Sequence, residues 1–97
     1  MLNQLKIIAD VTAKAGLEEE VRKILEALTD ASRKEKGNIS YHLHQDINNL
    51  NVFIIIEEWE SQDAIDFHNQ TPHFAKFKEQ ISDKFEHLSI NVVRQLR

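Results

Sequence analysis

The sequence predicts an α+β fold in one domain. Three observations carry this: period-two apolar alternation in extended segments, apolar stripes of helical period in the segments between them, and turn or cap residues at the boundaries. With 97 residues and 41% apolar content, one compact domain is expected over residues 1–97, burying roughly two-thirds of the extended chain's surface. So little interior leaves scant room for a private cavity, and a pocket is expected either between sheet and helix or against a partner chain.

Leu5, Ile7, Ala9 and Val11 share one face at period two, which predicts a half-buried strand broken by Gly16. From Leu17 the residues Val21, Ile24, Leu25, Leu28 and Ala31 follow helical spacing. Glu18, Glu19 and Glu20 form a dipole-matched, solvated first turn, with Lys34 and Lys36 expected in the last turn and Gly37 as a left-handed stop. Ile39–Leu43 and Val52–Trp59 are rich in branched and aromatic residues and flank a polar connection, so they read as a hairpin. Ser61 is the expected N-cap of a short helix through Asn69. Thr71 and Pro72 then cap and open another, which carries the stripe Phe74, Phe77, Ile81 and Phe85. Leu88–Leu96 reads as the final strand, with Ile90 and Val92 on one face and Val93 on the other. The order is β-α-β-β-α-β, a ferredoxin-like sandwich with helices on one face of an antiparallel sheet.

The third strand poses a problem for that layering. Phe53, Ile55, Glu57 and Trp59 share one face while Val52, Ile54, Ile56 and Glu58 share the other, so both faces are largely apolar and helices on one side cover only one. An uncovered apolar face marks association or ligand binding, and a homodimer with sheets stacked face to face is expected. On this reading the helices cover the Val52–Glu58 face, and Glu57 and Trp59 look into a cavity on the other side.

Composition excludes several classes of function. Twelve basic residues against sixteen acidic ones give a net charge of −4, without the concentrated positive charge that nucleic acid requires. Cysteine is absent, which removes disulfide, thiolate and zinc-thiolate chemistry and fits a cytoplasmic setting. No apolar leader and no long apolar run point to export or a membrane span. With only two glycines, Gly16 and Gly37, the chain shows no flavin fingerprint.

The candidate site lies in Glu57–Phe74. Trp59 and Phe53 are expected to wall an aromatic pocket, with His73 and Phe74 as further substrate-binding residues. Glu57, two residues before Trp59, is a carboxylate on the same face, with His42 or His44 as its expected partner across the hairpin. His68 is the leading candidate for a proton-moving base and His42 the second, because imidazole titrates near neutral pH. Tyr41 is expected to pack under the helices. The histidines follow no fixed metal-binding spacing, so no metal is expected.

The Glu/Lys-rich first helix, Gly37-Asn38-x-x-Tyr41, Phe53…Glu57-x-Trp59 and Phe67-His68-Asn69-Gln70-Thr71-Pro72-His73-Phe74 together resemble the antibiotic-biosynthesis-monooxygenase family of dimeric α+β barrels. The resemblance covers nearly the whole chain. It implies a homodimer and a small-molecule substrate. Members include cofactor-independent monooxygenases of quinol-like or polycyclic aromatic substrates, haem-degrading enzymes and an isomerase of the phosphorylated autoinducer-2 signal. The helix motif with His68 and Thr71-Pro72-His73 is similar to the isomerase and quinol-type members. Haem degradation fits least, since Ile8, Ala9 and Asp10 stand where that subgroup has a first-strand asparagine. The implied activity is a cofactor-independent monooxygenase, with the isomerase or a non-catalytic binding module as alternatives.

Overall fold

A computed structural model describes residues 3–97. Four strands, β1 (Leu5–Ala13), β2 (Asn38–Gln45), β3 (Val52–Trp59) and β4 (Phe85–Val93), form one antiparallel sheet in the order β2-β3-β1-β4. Helices α1 (Glu18–Ser32), α2 (Gln62–His68) and α3 (Pro72–Ile81) complete the predicted ferredoxin-like arrangement. Among the described residues, no helix is long and apolar enough to cross a membrane.

The alternation of β1 is read out directly as burial, with Leu5, Ile7, Ala9, Val11 and Ala13 inside. They meet Val21, Leu25 and Leu28 of α1, Ile65 of α2, and Phe77 and Ile81 of α3 in one core. Gly16, at φ 84°, makes the turn into α1 that a side chain would strain. Both cap assignments of the later helices hold. Ser61 accepts from the Ala64 N–H and Thr71 Oγ1 from the Phe74 N–H, with Pro72 at the start of α3.

The sheet faces differ from expectation. Leu5↔Trp59, Ile7↔Glu57, Ala9↔Ile55 and Val11↔Phe53 are paired positions on β1 and β3, and all eight residues are buried beneath the helices. It is therefore Ile8, Ile54 and Ile56 that occupy the open face, because α1 follows the fully apolar stripe of β1 and antiparallel pairing fixes β3 accordingly. On β4, Leu88, Ile90 and Val92 pair with Val11, Ala9 and Ile7 on the helix side, and the strand ends at Val93 rather than Leu96.

Gly37 also departs from its expected role. Helix α1 ends at Ser32, before Lys34 and Lys36, with no basic residue in its last turn. The chain continues through successive turns, and Gly37 has no left-handed backbone. What the glycine provides is clearance: a Cβ there would lie 2.5 Å from Ala64 Cβ on α2, while its carbonyl accepts from the Glu60 N–H at 3.0 Å. Gly37→Ala is expected to destabilise the fold by about 1–3 kcal/mol through this overlap. In an Ala64→Gly background the same substitution should lose most of its effect, as urea unfolding of the four variants would show.

Candidate active site

Between β3 and the two short helices a small set of polar side chains is sealed into the core. Trp59 closes the buried face of β3, and its indole Nε1–H donates to Glu57 Oε1 at 2.8 Å. Glu57 itself is only 4% exposed. Tyr41 sits directly across from it on β2, buried as the alternation predicted. Burial, then the neighbouring Glu57 carboxyl, hold the Tyr41 hydroxyl protonated far above its ordinary range.

His68 ends α2, and its ring is enclosed by aromatic neighbours. Trp59 lies 4.5 Å away between ring centroids, Phe74 5.0 Å and Tyr41 6.3 Å. Its Nδ1 is 2.6 Å from Glu35 Oε2, and the same oxygen lies 2.7 Å from His73 Nε2 in the first turn of α3. A carboxylate oxygen only accepts, so both imidazole nitrogens facing it carry hydrogen. Burial lowers the pKa of His68 against the opposing bond and charge of Glu35, which keeps the ring neutral at neutral pH. In a neutral ring with hydrogen on Nδ1, Nε2 has the free lone pair and is the proton acceptor.

Glu35 is the residue that sequence reasoning missed. It lies in the run Arg33-Lys34-Glu35-Lys36, which reads as a solvated helix end, yet its side chain is 5% exposed. Its contacts span 33 and 38 positions along the chain, and no local spacing announces them. The turns after α1, closed by Glu35 N–H to Ser32 O and Asn38 N–H to Glu35 O, aim it inward.

Of the residues singled out from the sequence, Glu57, Trp59, His68, His73 and Phe74 converge here. His42 does not: it pairs with Ile56 on the open face of the sheet, and so does His44 opposite Ile54, so neither is the partner of Glu57 within the chain. The expected cavity beside Glu57 on an uncovered face is likewise corrected, since the helices cover that face. Phe53 is a core residue six positions from Trp59, roughly 20 Å along the strand, and does not wall the same site. The carboxylate that orients His68 is Glu35, while Glu57 is bound to the indole.

Phe74 also lines a groove of about 310 Å³ beside the cluster, formed with Phe77, Ile81, Phe85, Leu88 and Ile90. Lys78 stands at its rim with Nζ 5.5 Å from the Phe74 ring centre.

The chain and its fold have relatives among known proteins. The family model for antibiotic biosynthesis monooxygenases matches residues 5–80. YcnE of Bacillus subtilis (strain 168), named as a candidate monooxygenase, is 36% identical over 69 residues, covering 71% of this chain and 73% of that protein. An uncharacterised Synechocystis protein, sll1783, is 32% identical over 77 residues, or 79% of this chain, which spans about half (52%) of its length. The crystal structure of PA3566 from Pseudomonas aeruginosa superposes with a TM-score of 0.93 at 33% identity, covering 98% of this chain and 96% of that one. Rv0793 from Mycobacterium tuberculosis, at 22% identity and a TM-score of 0.91 over 97% and 96% of the two chains, shares the fold.

Burial raises the Glu57 carboxyl from 4.5 to about 7, against the indole bond that favours the ionised form. The folded chain therefore holds this proton more tightly than the unfolded one. The associated stability is complete below pH 4.5 and is lost as pH rises through about 7. The loss amounts to about 3 kcal/mol. Glu57→Gln retains an oxygen for the indole but cannot ionise. Its stability relative to the parent should rise by about that amount between pH 4.5 and 8 in urea unfolding, whereas a difference independent of pH would mean that Glu57 titrates normally.

Proposed function

This chain belongs to the antibiotic biosynthesis monooxygenase family, and from that premise we propose that it is a small cofactor-independent monooxygenase acting on a quinol-like or aromatic small molecule. The observation that carries this reading is the buried Glu35–His68 pair. It fixes one imidazole tautomer with its acceptor nitrogen free, inside a nest of aromatic rings.

In the proposed reaction, His68 Nε2 takes a proton from an acidic hydroxyl or methylene of the substrate. Glu35 orients the ring and stabilises the imidazolium that forms. The electron-rich substrate anion reduces dioxygen directly. For an activated methylene, addition of O₂ to the anion gives a peroxide anion that takes the proton back from the His68 imidazolium; the hydroperoxide then loses water to leave a carbonyl, so one oxygen atom stays on carbon and the other departs as water. His73, a quarter exposed and bonded to the same Glu35 oxygen, links the buried pair to the solvent side. The apolar groove supports an aromatic substrate, because Phe74 is both its wall and the ring packed on His68.

A homodimer belongs to the same proposal. The open face presents Ile8, Ile54 and Ile56, and Val93 pairs with Lys6 at its margin; Ile8 is 37% and Val93 39% exposed. A second copy stacked there would remove this surface from water. Sedimentation at micromolar concentration should give twice the mass of the chain, and a stable monomer would overturn that part.

Oxygen uptake with a panel of quinols and activated polycyclic methylenes tests the activity. His68→Ala should lower kcat by about 10²–10⁴. Glu35→Gln should fall in the same direction by a smaller factor, since Nε2 survives but the tautomer is no longer held. Turnover that proceeds without oxygen on a phosphorylated sugar-like substrate would instead favour isomerisation by the same proton-transfer pair. Unchanged oxygen uptake in both variants would remove His68 as the base.

A further inference from the structure

We propose that Glu35, His68 and His73 also form a binding site for one divalent transition-metal ion of the zinc, copper or nickel type. Each offers one donor atom, and the three donors lie within 4.8 Å of one another. Two imidazoles and one carboxylate are a donor set that such ions accept, with the remaining positions left for water or a ligand. The three side chains come from separate elements: the turn after α1, the end of α2 and the first turn of α3. The Ser61 and Thr71 caps hold the last two in place.

A second observation points to a ligand. Glu35 Oε1 is buried without a hydrogen-bond partner, although its side chain is only 5% exposed. A buried carboxylate oxygen left unpaired is unfavourable, and a divalent cation at the cluster would supply the missing positive charge. Access is available from the His73 side, which is 25% exposed, while the Trp59, Phe74 and Tyr41 rings enclose the other side and keep the local dielectric low. The present N···O separations of 2.6 and 2.7 Å are those of hydrogen bonds. With ligand bonds of about 2.0–2.1 Å at tetrahedral angles, the donors must spread by roughly 0.6 Å. Rotation of the quarter-exposed His73 ring and of the Glu35 carboxylate allows this. The ion takes the place of the two hydrogens that now face Glu35, and in the neutral His68 ring that hydrogen moves from Nδ1 to Nε2.

The site goes beyond the oxygenase reading and is antagonistic to it. An ion on His68 Nδ1 leaves the ring's hydrogen on Nε2, and the base can no longer accept. Metal-free protein is therefore the active form, and zinc is an inhibitor.

Chelator-treated protein titrated with Co²⁺ should develop the visible absorption of a low-symmetry site at one ion per chain, and Zn²⁺ should displace it. Calorimetry with Zn²⁺ should give the same stoichiometry. His73→Ala and Glu35→Gln should each weaken binding by at least the roughly 10- to 100-fold that loss of an outer partner of a metal ligand causes. His73→Ala alters the least buried of the three, so its fold should survive, as circular dichroism would verify. Absence of a cobalt spectrum and of zinc heat at micromolar protein would overturn the site, as would binding that both variants retain in full. The outcome is separable from the oxygenase reading. If metal binds but no substrate consumes oxygen with or without chelator, only the activity falls. If oxygen uptake is insensitive to zinc and no ion binds, only the metal site falls.

Discussion

One carboxylate oxygen, Glu35 Oε2, holds together three parts of the chain that the sheet alone would not bring into register. It accepts from His68 at the end of α2 and from His73 at the start of α3, and it is delivered by the turns that follow α1. Hydrogen bonds to an ionised acceptor are roughly twice as strong as neutral ones, and the side chain that accepts these two is only 5% exposed. The arrangement of aromatic rings around His68 depends on them, because the ring they fix is the common neighbour of Trp59, Phe74 and Tyr41.

The two short helices make this convergence possible. His68 and His73 are five positions apart, which on one continuous helix would set their side chains about 140° apart around the axis. Ending α2 at His68 and restarting at Pro72 behind the Thr71 cap turns both rings toward the same oxygen. Gly37 serves the same end from the other direction. Without a side chain it lets α2 approach β2, and the distance it saves is what allows Ile65 and His68 to reach the core.

Much of the fold was legible because its signals are local. The alternation of β1, the branched run of β3, the Ser61 cap and the Thr71-Pro72 start are each decided within a few residues, and each appears where the pattern placed it. The choice of face on β3 was not legible. Both faces are apolar there, so the deciding information resides in the pairing with β1, whose polar face of Lys6, Asp10 and Thr12 identifies the open side. His42 fell with that choice, since it shares the face of Ile56. Glu35 was hidden for a different reason. A carboxylate among lysines and an arginine has the local appearance of solvent-exposed charge, and only contacts more than thirty residues away give it a buried role.

Helix α2 has seven residues, too short to persist without its neighbours. Its hold on the rest comes from the Ser61 cap, the Ala64 and Ile65 side chains and the His68 ring. Such a segment opens at a lower free energy than the sheet beneath it, as a separate cooperative unit. An opening of α2 with β1 and β3 still paired would carry His68 away from Glu35 and let water reach the indole of Trp59. The constellation would then have a lifetime of its own, shorter than that of the fold, and amide exchange at Asn69, which donates to Ile65 O, would record its rhythm separately from that of the strands.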